Sequence, residues 1–371
     1  MRVLMCTPYP AGPNYVQGGI AIWAKSITDY AEALAGGADL HVVPFNRVSF
    51  GLERVNMIRR AWRGILEYWG PIKEAVRQIR SRRFDVLHIC TSGSISLLKD
   101  IFLIRRAKRY GLKTVIHFHF GLIPVIAQKK NWEWRLLRQA VAMADEAVTM
   151  DLNSYRALKE NACEHVHYLP NPVSVEVIRQ VSEEAEKVEK MPSKVSYVGR
   201  LIPTKGIVEL IEACKGIRGL ELHLYGKMDP ALCDYMKGVL PENADWLKYE
   251  GEVDHRRVVH ELLSTGIFVL PSYTEGFPLT VLEGMACGCA IVATDVGAIP
   301  DMLNIDSSEP CGICSAPKDI EALRSSIRHF IDNPSEAREY GLRAQKRVNE
   351  HYSMPLVWAS LLQIWRASRP A

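Results

Sequence analysis

The sequence has 371 residues, of which 48% are hydrophobic and 24% are charged. This composition excludes a disordered or fibrous protein, and at about 100–200 residues per domain the length predicts two domains. No apolar run approaches the ~20 residues of a membrane span, and the N-terminal stretch reaches Pro8 too soon for a signal peptide. With nine cysteines and no recognisable leader, we expect reduced thiols and a cytoplasmic location.

The net charge of +4 is divided unevenly along the chain. Residues 1–171 carry 24 Lys and Arg against 14 Asp and Glu, whereas the remainder carries 22 against 28. A basic first half is typical of a protein that faces an anionic partner, such as a membrane surface, a lipid-linked phosphate or a nucleic acid. No nucleic-acid-binding motif is recognisable, so we expect no nucleic-acid partner.

Short apolar runs alternate with helical patterns in both halves, which predicts two parallel sheets covered by helices. The candidate strands of the first half are Val3–Cys6, Leu40–Val43, Val86–Ile89, Thr114–Phe118, Glu146–Thr149 and Val166–Leu169. Those of the second half are Lys194–Val198, Leu220–Tyr225, Trp246–Tyr249, Ile267–Leu270, Ala290–Ala293 and Gly312–Cys314. The predicted helices between them are Ile20–Leu34, Ser96–Tyr110, Asn153–Glu160, Gly206–Lys215, Ala231–Val239, Arg256–Ser264, Leu279–Ala286 and Ile320–Phe330.

A linker is predicted between the halves. Pro170-Asn171-Pro172 precedes a charge-mixed run from Glu183 to Lys190, a composition typical of linkers. We therefore predict a first domain of residues 1–171 and a second of residues 172–350. Residues 351–371 include an amphipathic C-terminal helix over Ser353–Arg366. Two doubly wound domains are expected to bind a ligand at the carboxyl ends of their strands.

The most specific motif runs from Glu275 to Glu283 and reads Glu-Gly-Phe-Pro-Leu-Thr-Val-Leu-Glu. It follows a predicted strand and opens a helix, where Pro278 suits the first turn. The free amides of Leu279 and Thr280 then form an anion site. Ionised glutamates accept hydrogen bonds only, which favours sugar or ribose hydroxyls as partners. The alternative is a capped helix with two solvated glutamates.

Two cations, Arg200 and Lys205, follow the strand that ends at Val198 and precede a helix. At the carboxyl end of a strand they suit a diphosphate, Arg as a planar fork and Lys as a point charge. The alternative is a surface loop with two solvated cations.

Glycines at two strand–helix junctions allow a ligand to approach the backbone. Gly18 and Gly19 open the first helix, where exposed amides suit a phosphate, and Gly276 follows Glu275. The Gly18-Gly19 pair is not the Gly-x-Gly-x-x-Gly motif of nicotinamide cofactor sites. A loop glycine pair without a ligand remains the alternative.

Histidines and cysteines raise the question of a metal. His117 and His119 point to one side of a strand, with His119 nearer the crevice; we expect His117 to be a satisfied core histidine. Cys287, Cys289, Cys311 and Cys314 have a spacing that suggests zinc, but free cysteine is a common core residue. We therefore expect no metal.

The segment from Glu53 to Asp85 is basic, with nine Lys and Arg against four acidic residues, and apolar and aromatic residues are interleaved. A basic amphipathic helix of this kind is able to lie on an anionic membrane, so peripheral contact with the inner face of a membrane is one hypothesis. An ordinary surface helix with one face in the core is the alternative.

These motifs together resemble the glycosyltransferases of the GT-B fold, and glycosyltransferase family 4 in particular. The resemblance covers nearly the whole chain and keeps the family's order: Gly18-Gly19, His119, Pro170-Asn171-Pro172, Arg200 and Lys205, Glu275 and Glu283, Met285-Ala286-Cys287-Gly288, and His351-Tyr352-Ser353. It implies an α/β fold in which two Rossmann-like, doubly wound parallel-sheet domains face a central cleft and the C-terminal helix crosses back to the first domain. Pro172 stands where the family usually has a glycine, which predicts a stiffer hinge.

The resemblance also implies retaining transfer of a hexose-type sugar from a nucleotide-diphosphate sugar, without a cofactor or metal. By position, the residues that would neutralise the leaving diphosphate are Arg200, Lys205 and the Gly19 amide. Those that would hold the donor sugar are Glu275, His119 and the amides of Phe277 and Leu279. Glu283 would bind ribose hydroxyls. We place selectivity for the base and the sugar around Gly226-Lys227 and Glu252-Val253.

The function that this resemblance implies is transfer to a glycan or lipid-linked acceptor, in cell-surface polysaccharide synthesis. Within enzymes, the alternatives are a GT-B nucleotide-sugar epimerase or a phosphorylase. Outside enzymes, the alternative is a sugar-nucleotide-binding protein without turnover.

Overall fold

The structure is a computed structural model that describes residues 1–10, 18–34, 37–46, 57–161, 163–242 and 245–367, with the backbone alone for 57–68 and 242. The chain divides into two compact units, one of Met1–Asn171 with Pro355–Ala371 and one of Pro172–Met354. The N-terminal part of the basic segment, including Arg54, lies outside the described residues.

The first unit is a parallel sheet of six strands in the order β2-β1-β3-β4-β5-β6. The strands are β1 (Arg2–Thr7), β2 (Asp39–Pro44), β3 (Val86–Thr91), β4 (Lys113–Phe118), β5 (Glu146–Thr149) and β6 (Val166–Tyr168). The helices between them are α1 (Gly19–Ala33), α2 (Met57–Arg80), α3 (Ser96–Arg109), α4 (Ile123–Lys129), α5 (Trp132–Met143) and α6 (Leu152–Glu160). β3, β4 and β5 are buried along their whole length, as expected for parallel strands covered on both faces.

The second unit is also a six-stranded parallel sheet, in the order β12-β11-β10-β7-β8-β9. Its strands are β7 (Met191–Val198), β8 (Glu221–Tyr225), β9 (Leu247–Gly251), β10 (Thr265–Leu270), β11 (Ala290–Thr294) and β12 (Gly312–Ser315). Its helices are α7 (Val175–Glu184), α8 (Ile207–Cys214), α9 (Pro230–Glu242), α10 (His255–Ser264), α11 (Leu279–Ala286), α12 (Ile299–Met302), α13 (Ile320–Asp332) and α14 (Pro334–His351), with a 3-10 turn over Pro203–Lys205. Two doubly wound α/β units confirm the predicted fold class.

The predicted linker contains a helix, which corrects the sequence-based interpretation. Ser174 caps α7 by accepting a hydrogen bond from the Val177 amide at 3.1 Å. Val177 and Val181 are buried, and the side-chain amide of Gln180 donates to the Arg256 carbonyl at 2.7 Å. An N-cap serine and two buried valines one turn apart stabilise a helix, so this stretch is part of the second unit.

The C-terminal helix α15 (Met354–Arg366) packs on the first unit, as expected. The buried Lys113 ammonium donates to the carbonyls of Ile364 and Ala367 at 2.6 and 2.7 Å. It thereby gives hydrogen-bond partners to carbonyls at the C-terminal end of the helix, which have none within it. Trp358 packs edge-on against Tyr30, with ring centroids 6.0 Å apart. None of the helices in the described part of the chain is long and apolar enough to cross a membrane.

Candidate functional site

The strand order of the second unit brings the two most informative motifs together. β7 and β10 are neighbours, and from them the chain winds outward in opposite directions. Such a reversal opens a crevice at the carboxyl ends of the two strands. Arg200 and Lys205 follow β7, and the segment Glu275–Glu283 follows β10. The candidate donor site therefore lies where a doubly wound sheet ordinarily binds its ligand.

Lys205 and Glu275 contact each other at this edge. The Lys205 ammonium donates a hydrogen bond to Glu275 Oε1, and the two side chains are 26% and 12% exposed. A partly buried pair of this kind is less screened than a surface pair. An anion that reaches Lys205 therefore shares the ammonium with Glu275.

The Arg200 side chain is exposed, and a hydrogen bond from a buried tyrosine holds the Arg200 backbone. The hydroxyl of buried Tyr197 donates to the Arg200 carbonyl at 2.9 Å. Burial raises the pKa of Tyr197 far above its ordinary value, so the hydroxyl keeps the proton that it donates. This bond holds the backbone of the loop, while the Arg200 side chain remains exposed to solvent.

Two glycines permit close backbone contacts between the loops. Gly206 follows Lys205 with φ of +70°, and a Cβ there would lie 2.1 Å from the Pro271 carbonyl oxygen. Gly226 has φ of +135°, and a Cβ there would lie 1.9 Å from the Gly199 carbonyl oxygen. Neither contact tolerates a side chain. These glycines hold the loop that bears Arg200 and Lys205 against its neighbours.

The amino end of α11 presents free amides, with one correction. Pro278 is the N-cap residue rather than a first-turn residue, and the Val281 amide makes the first bond back to its carbonyl at 3.2 Å. The amides of Leu279 and Thr280 therefore precede the helical ladder and have no partner within the helix, as the predicted anion site requires. The Phe277 ring is buried and packs edge-on against Tyr352 at 5.6 Å. The Phe277 ring is therefore part of the packing of the second unit and is not exposed to solvent.

Glu283 has a partner that sequence reasoning missed. His255 Nε2 lies 2.9 Å from Glu283 Oε1, and the glutamate side chain is 13% exposed. The hydrogen bond to Glu283 raises the pKa of His255. His255 is the first residue of α10, after the N-cap Asp254. The Asp-His pair at a helix start is a visible signal, but its contact with Glu283 depends on the fold.

The predicted selectivity residues lie beside β8 and β9. The Gly226 amide donates to the Gly251 carbonyl at 2.7 Å, and the Tyr249 hydroxyl donates to the Gly226 carbonyl at 3.2 Å. Val253 is half-buried, between the end of β9 and α10. These contacts fix the backbone at the carboxyl ends of β8 and β9.

Gly18 and Gly19 open α1 in the first unit. Gly18 is the N-cap, with φ of −129° and ψ of 163°, and its carbonyl accepts from the Ala21 amide at 2.9 Å. Among the residues that the structure describes, which exclude 11–17, no atom lies within 4 Å of a Cβ at either glycine. A phosphate contact at this helix start stays a prediction.

His119 is half-buried and packs against a buried aromatic cluster in the first unit. The rings of His117 and His119 are 4.0 Å apart, and Trp23 packs edge-on against both, at 4.9 and 4.8 Å. Burial lowers the pKa of His119 to about 3 and that of His117 well below its usual range. His117 is buried as predicted but not satisfied, because neither of its ring nitrogens has a hydrogen-bond partner among the described residues. Both histidines are neutral at pH 7.

Three residues of kinds that bind metal ions lie in the same cluster. Ligand atoms of His88, Cys90 and His117 lie within 4.8 Å of one another. The Trp365 indole donates to His88 Nδ1 at 3.0 Å, so the proton of neutral His88 is on Nε2 and neither nitrogen is a free ligand. Two remaining ligands are too few for a structural zinc site.

The four cysteines of the second half form no such group among the described residues. Cys287 and Cys289 are buried, and their thiols lie against the carbonyls of Val259 and Leu262. They are core residues, as expected.

Comparison with known proteins accounts for most of the chain. Residues 178–347 match the family model for glycosyl transferases group 1, and residues 24–177 match that for glycosyltransferase family 4. A glycogen synthase of Mycobacterium tuberculosis is 26% identical over 184 residues, which are 48% of this chain and 43% of that protein. The aligned region thus spans less than half the length of that relative.

Solved structures match over nearly the full length. Sucrose-phosphate synthase from Thermosynechococcus elongatus superposes with a TM-score of 0.73 and 17% identity, covering 98% of each chain. HepE from Anabaena, in complex with UDP, superposes with a TM-score of 0.69 and 15% identity, covering 98% of this chain and 99% of that one. At such identities the likeness shows the fold. Together with the two family models, it places the chain in the GT-B glycosyltransferases, with a family 4 first half and a group 1 second half.

Proposed function

We propose that the protein is a retaining glycosyltransferase that transfers a hexose-type sugar from a nucleotide-diphosphate sugar. The observation that carries the proposal is the convergence of Arg200, Lys205 and Glu275 at the β7–β10 edge, beside the free amides of α11. Cations and amides at one edge suit a diphosphate, and the carboxylate beside them suits sugar hydroxyls.

The leaving group is where we expect the site to contribute most to the rate. Departure of the sugar puts negative charge on the diphosphate, and fixed cations stabilise that charge most strongly. Arg200 and Lys205 supply two positive charges, so this chemistry proceeds without a metal. Glu275 accepts hydrogen bonds from the donor sugar while its contact with Lys205 keeps the ammonium oriented.

The nucleoside end of the donor is assigned to Glu283. Its carboxylate accepts hydrogen bonds from ribose hydroxyls, and His255 holds it in place from the other side. Gly226 and Val253 lie on this side of the crevice and would select the base through backbone contacts. His119 and the Gly19 amide keep the roles that the resemblance implies, contact with the donor sugar and with the diphosphate. The role of His119 is tested separately by His119→Ala.

The acceptor is proposed to be a glycan or lipid-linked precursor of a cell-surface polysaccharide, reached by a cytoplasmic enzyme peripheral to the membrane. The support is the excess of basic residues in the first half of the chain. The HepE relative was solved with UDP, which makes uridine donors the first to try.

Product analysis tests the proposal. The full chain is incubated with UDP, GDP and ADP sugars and candidate acceptors, and the anomeric configuration of the product is read by NMR. Acceptor-dependent release of nucleoside diphosphate, with the configuration of the donor retained, is expected. Inversion would refute the retaining mechanism, turnover without an acceptor would favour an epimerase, and phosphate-dependent release of a sugar phosphate would favour a phosphorylase.

A further inference from the structure

A groove with an apolar floor runs between α2 and α3 of the first unit. It has a volume of about 540 Å³ and is lined on its apolar side by Trp69, Ile72, Val76 and Phe102. Trp69 is 56% exposed and Phe102 38% exposed, although both are large apolar residues. The volume lies in the range of small-molecule sites, and exposed aromatic residues that meet in a concavity mark a binding surface.

The remaining lining residues are all cations: Lys73, Arg77, Arg80, Lys99 and Arg106. Arg77 pairs with Glu74 at 2.8 Å, and Lys99 contacts buried Asp100. Within the described part of the chain, no acidic group lies within ion-pair distance of Lys73, Arg80 or Arg106. The groove therefore keeps a positive charge after its own ion pairs are formed.

The cations and the aromatic rings are interleaved. The Lys73 ammonium lies 5.4 Å from the centre of the Trp69 ring, and the Arg106 guanidinium lies 5.2 Å from the centre of the Phe102 ring. Cation–π contacts hold both long side chains along the walls. A ligand that complements this surface has an apolar chain for the floor and an anionic group for the rim.

One lining residue of the groove, Lys99, lies near the carboxyl edge of the first sheet. α3 begins after β3, and Lys99 lies within its first turn. At the same edge, the His119 amide donates to the carbonyl of Thr91, the last residue of β3, at 2.9 Å. A molecule that extends along the groove as far as Lys99 would approach the edge where the predicted donor-contacting histidine lies.

We propose that this groove binds the apolar chain and the phosphate of a lipid-linked acceptor. The acceptor role rests on the proposed glycosyltransferase function, whereas binding of an anionic amphiphile does not depend on it. A concave groove with two walls receives a single chain, which distinguishes this site from a flat helix face lying on a bilayer.

Calorimetric titration with farnesyl diphosphate tests the proposal, with farnesol and inorganic diphosphate titrated in parallel. The titrations use the full chain carrying Lys205→Ala, which we expect to weaken diphosphate binding at the second unit. We expect farnesyl diphosphate to bind at least about tenfold more tightly than either fragment, since one buried anchor residue or charge contributes roughly that factor. Affinity equal to that of inorganic diphosphate or of farnesol alone would overturn the proposal.

Matched variants locate the site. Trp69→Ala and Arg106→Glu should each weaken binding by about tenfold. Trp132→Ala removes an equally exposed tryptophan of the same unit, 55% against 56%, and Arg105→Glu makes the same charge change one residue away from the groove. Both controls should bind like the parent. Equal effects of Arg105→Glu and Arg106→Glu, or unchanged binding by Trp69→Ala, would refute the assignment.

Three further outcomes distinguish a lipid ligand from a peptide ligand, and this inference from the proposed function. Tighter binding of an acidic amphipathic peptide than of farnesyl diphosphate would overturn the lipid assignment. If nucleotide sugars bind and react but farnesyl diphosphate does not bind, this inference fails by itself. If farnesyl diphosphate binds in the groove but no nucleotide sugar is used, the proposed function fails and the amphiphile site stands.

Discussion

Lys205 is the residue on which the proposed chemistry depends most directly. We expect Lys205→Ala to lower the transfer rate by about 10²–10³, by analogy with the loss of one oxyanion-hole donor. The fold should persist, because the side chain is partly exposed and its partner Glu275 gains access to water. Initial rates with saturating donor measure the effect, and Lys215→Ala, at the exposed end of α8, is the control. Near-normal turnover by Lys205→Ala would remove the diphosphate role.

The pair of His255 and Glu283 makes a prediction about pH. Because the hydrogen bond to Glu283 raises the pKa of His255, the charged pair forms fully below the ordinary histidine value of about 6.5 and is lost as the pH rises through the raised pKa. The His255 ring protons, followed by NMR, should titrate above that value in the parent. In Glu283→Gln they should titrate lower, and nucleotide binding should weaken. An identical titration in both proteins would contradict the contact.

At the scale of elements, the buried strands were predictable because their runs of apolar residues follow directly from burial on both faces. All twelve candidate strands are present, with ends shifted by a few residues. Helices were less visible: α4, α5, α12 and α14 were not predicted, and α7 was taken for a linker. Helix α14 has a polar exposed surface and buries mainly small residues, such as Ala337 and Ala344, so its apolar stripe is weak in sequence.

Gly206 supports the element that carries Lys205. We expect Gly206→Ala to destabilise the protein by at least about 1 kcal/mol and to lower transfer, because its Cβ would meet the Pro271 carbonyl oxygen at 2.1 Å. Gly216→Ala is the matched control, since Gly216 has φ of +81° and no atom within 4 Å of the built Cβ. Urea denaturation measures both. Equal losses would show that backbone conformation, and not the close approach, requires glycine at 206.

At the scale of the whole molecule, sequence reasoning identified residues near a strand end and missed those joined through the fold. Arg200, Lys205 and Glu275 were visible because each follows a strand, and Glu283 was visible because it lies in the helix that follows Glu275. The Trp365–His88 hydrogen bond and the His255–Glu283 pair connect residues far apart in the chain. No local pattern encodes such contacts.

The buried histidines of the first unit predict acid sensitivity. Burial lowers the pKa of His88 and His119 to about 3, and that of His117 well below 6.5, so the unfolded chain binds more protons than the folded one below about pH 6.5. Stability should therefore fall with decreasing pH, by about 1.4 kcal/mol per pH unit for each histidine. Urea denaturation at pH 7 and pH 5 measures the slope, which His117→Phe should reduce. An unchanged slope in this variant would contradict the burial of a neutral imidazole.

Nucleotide binding tests the central claim, a donor site at the β7–β10 edge. Thermal unfolding of the full chain is followed with UDP, GDP and ADP and their glucose conjugates, without added metal, beside Lys205→Ala and Glu283→Gln. A ligand at 100 times its dissociation constant stabilises by about 2.7 kcal/mol. We predict a raised melting temperature with one nucleotide family and a smaller rise in both variants. No rise with any nucleotide, or an equal rise in parent and variants, would contradict the account.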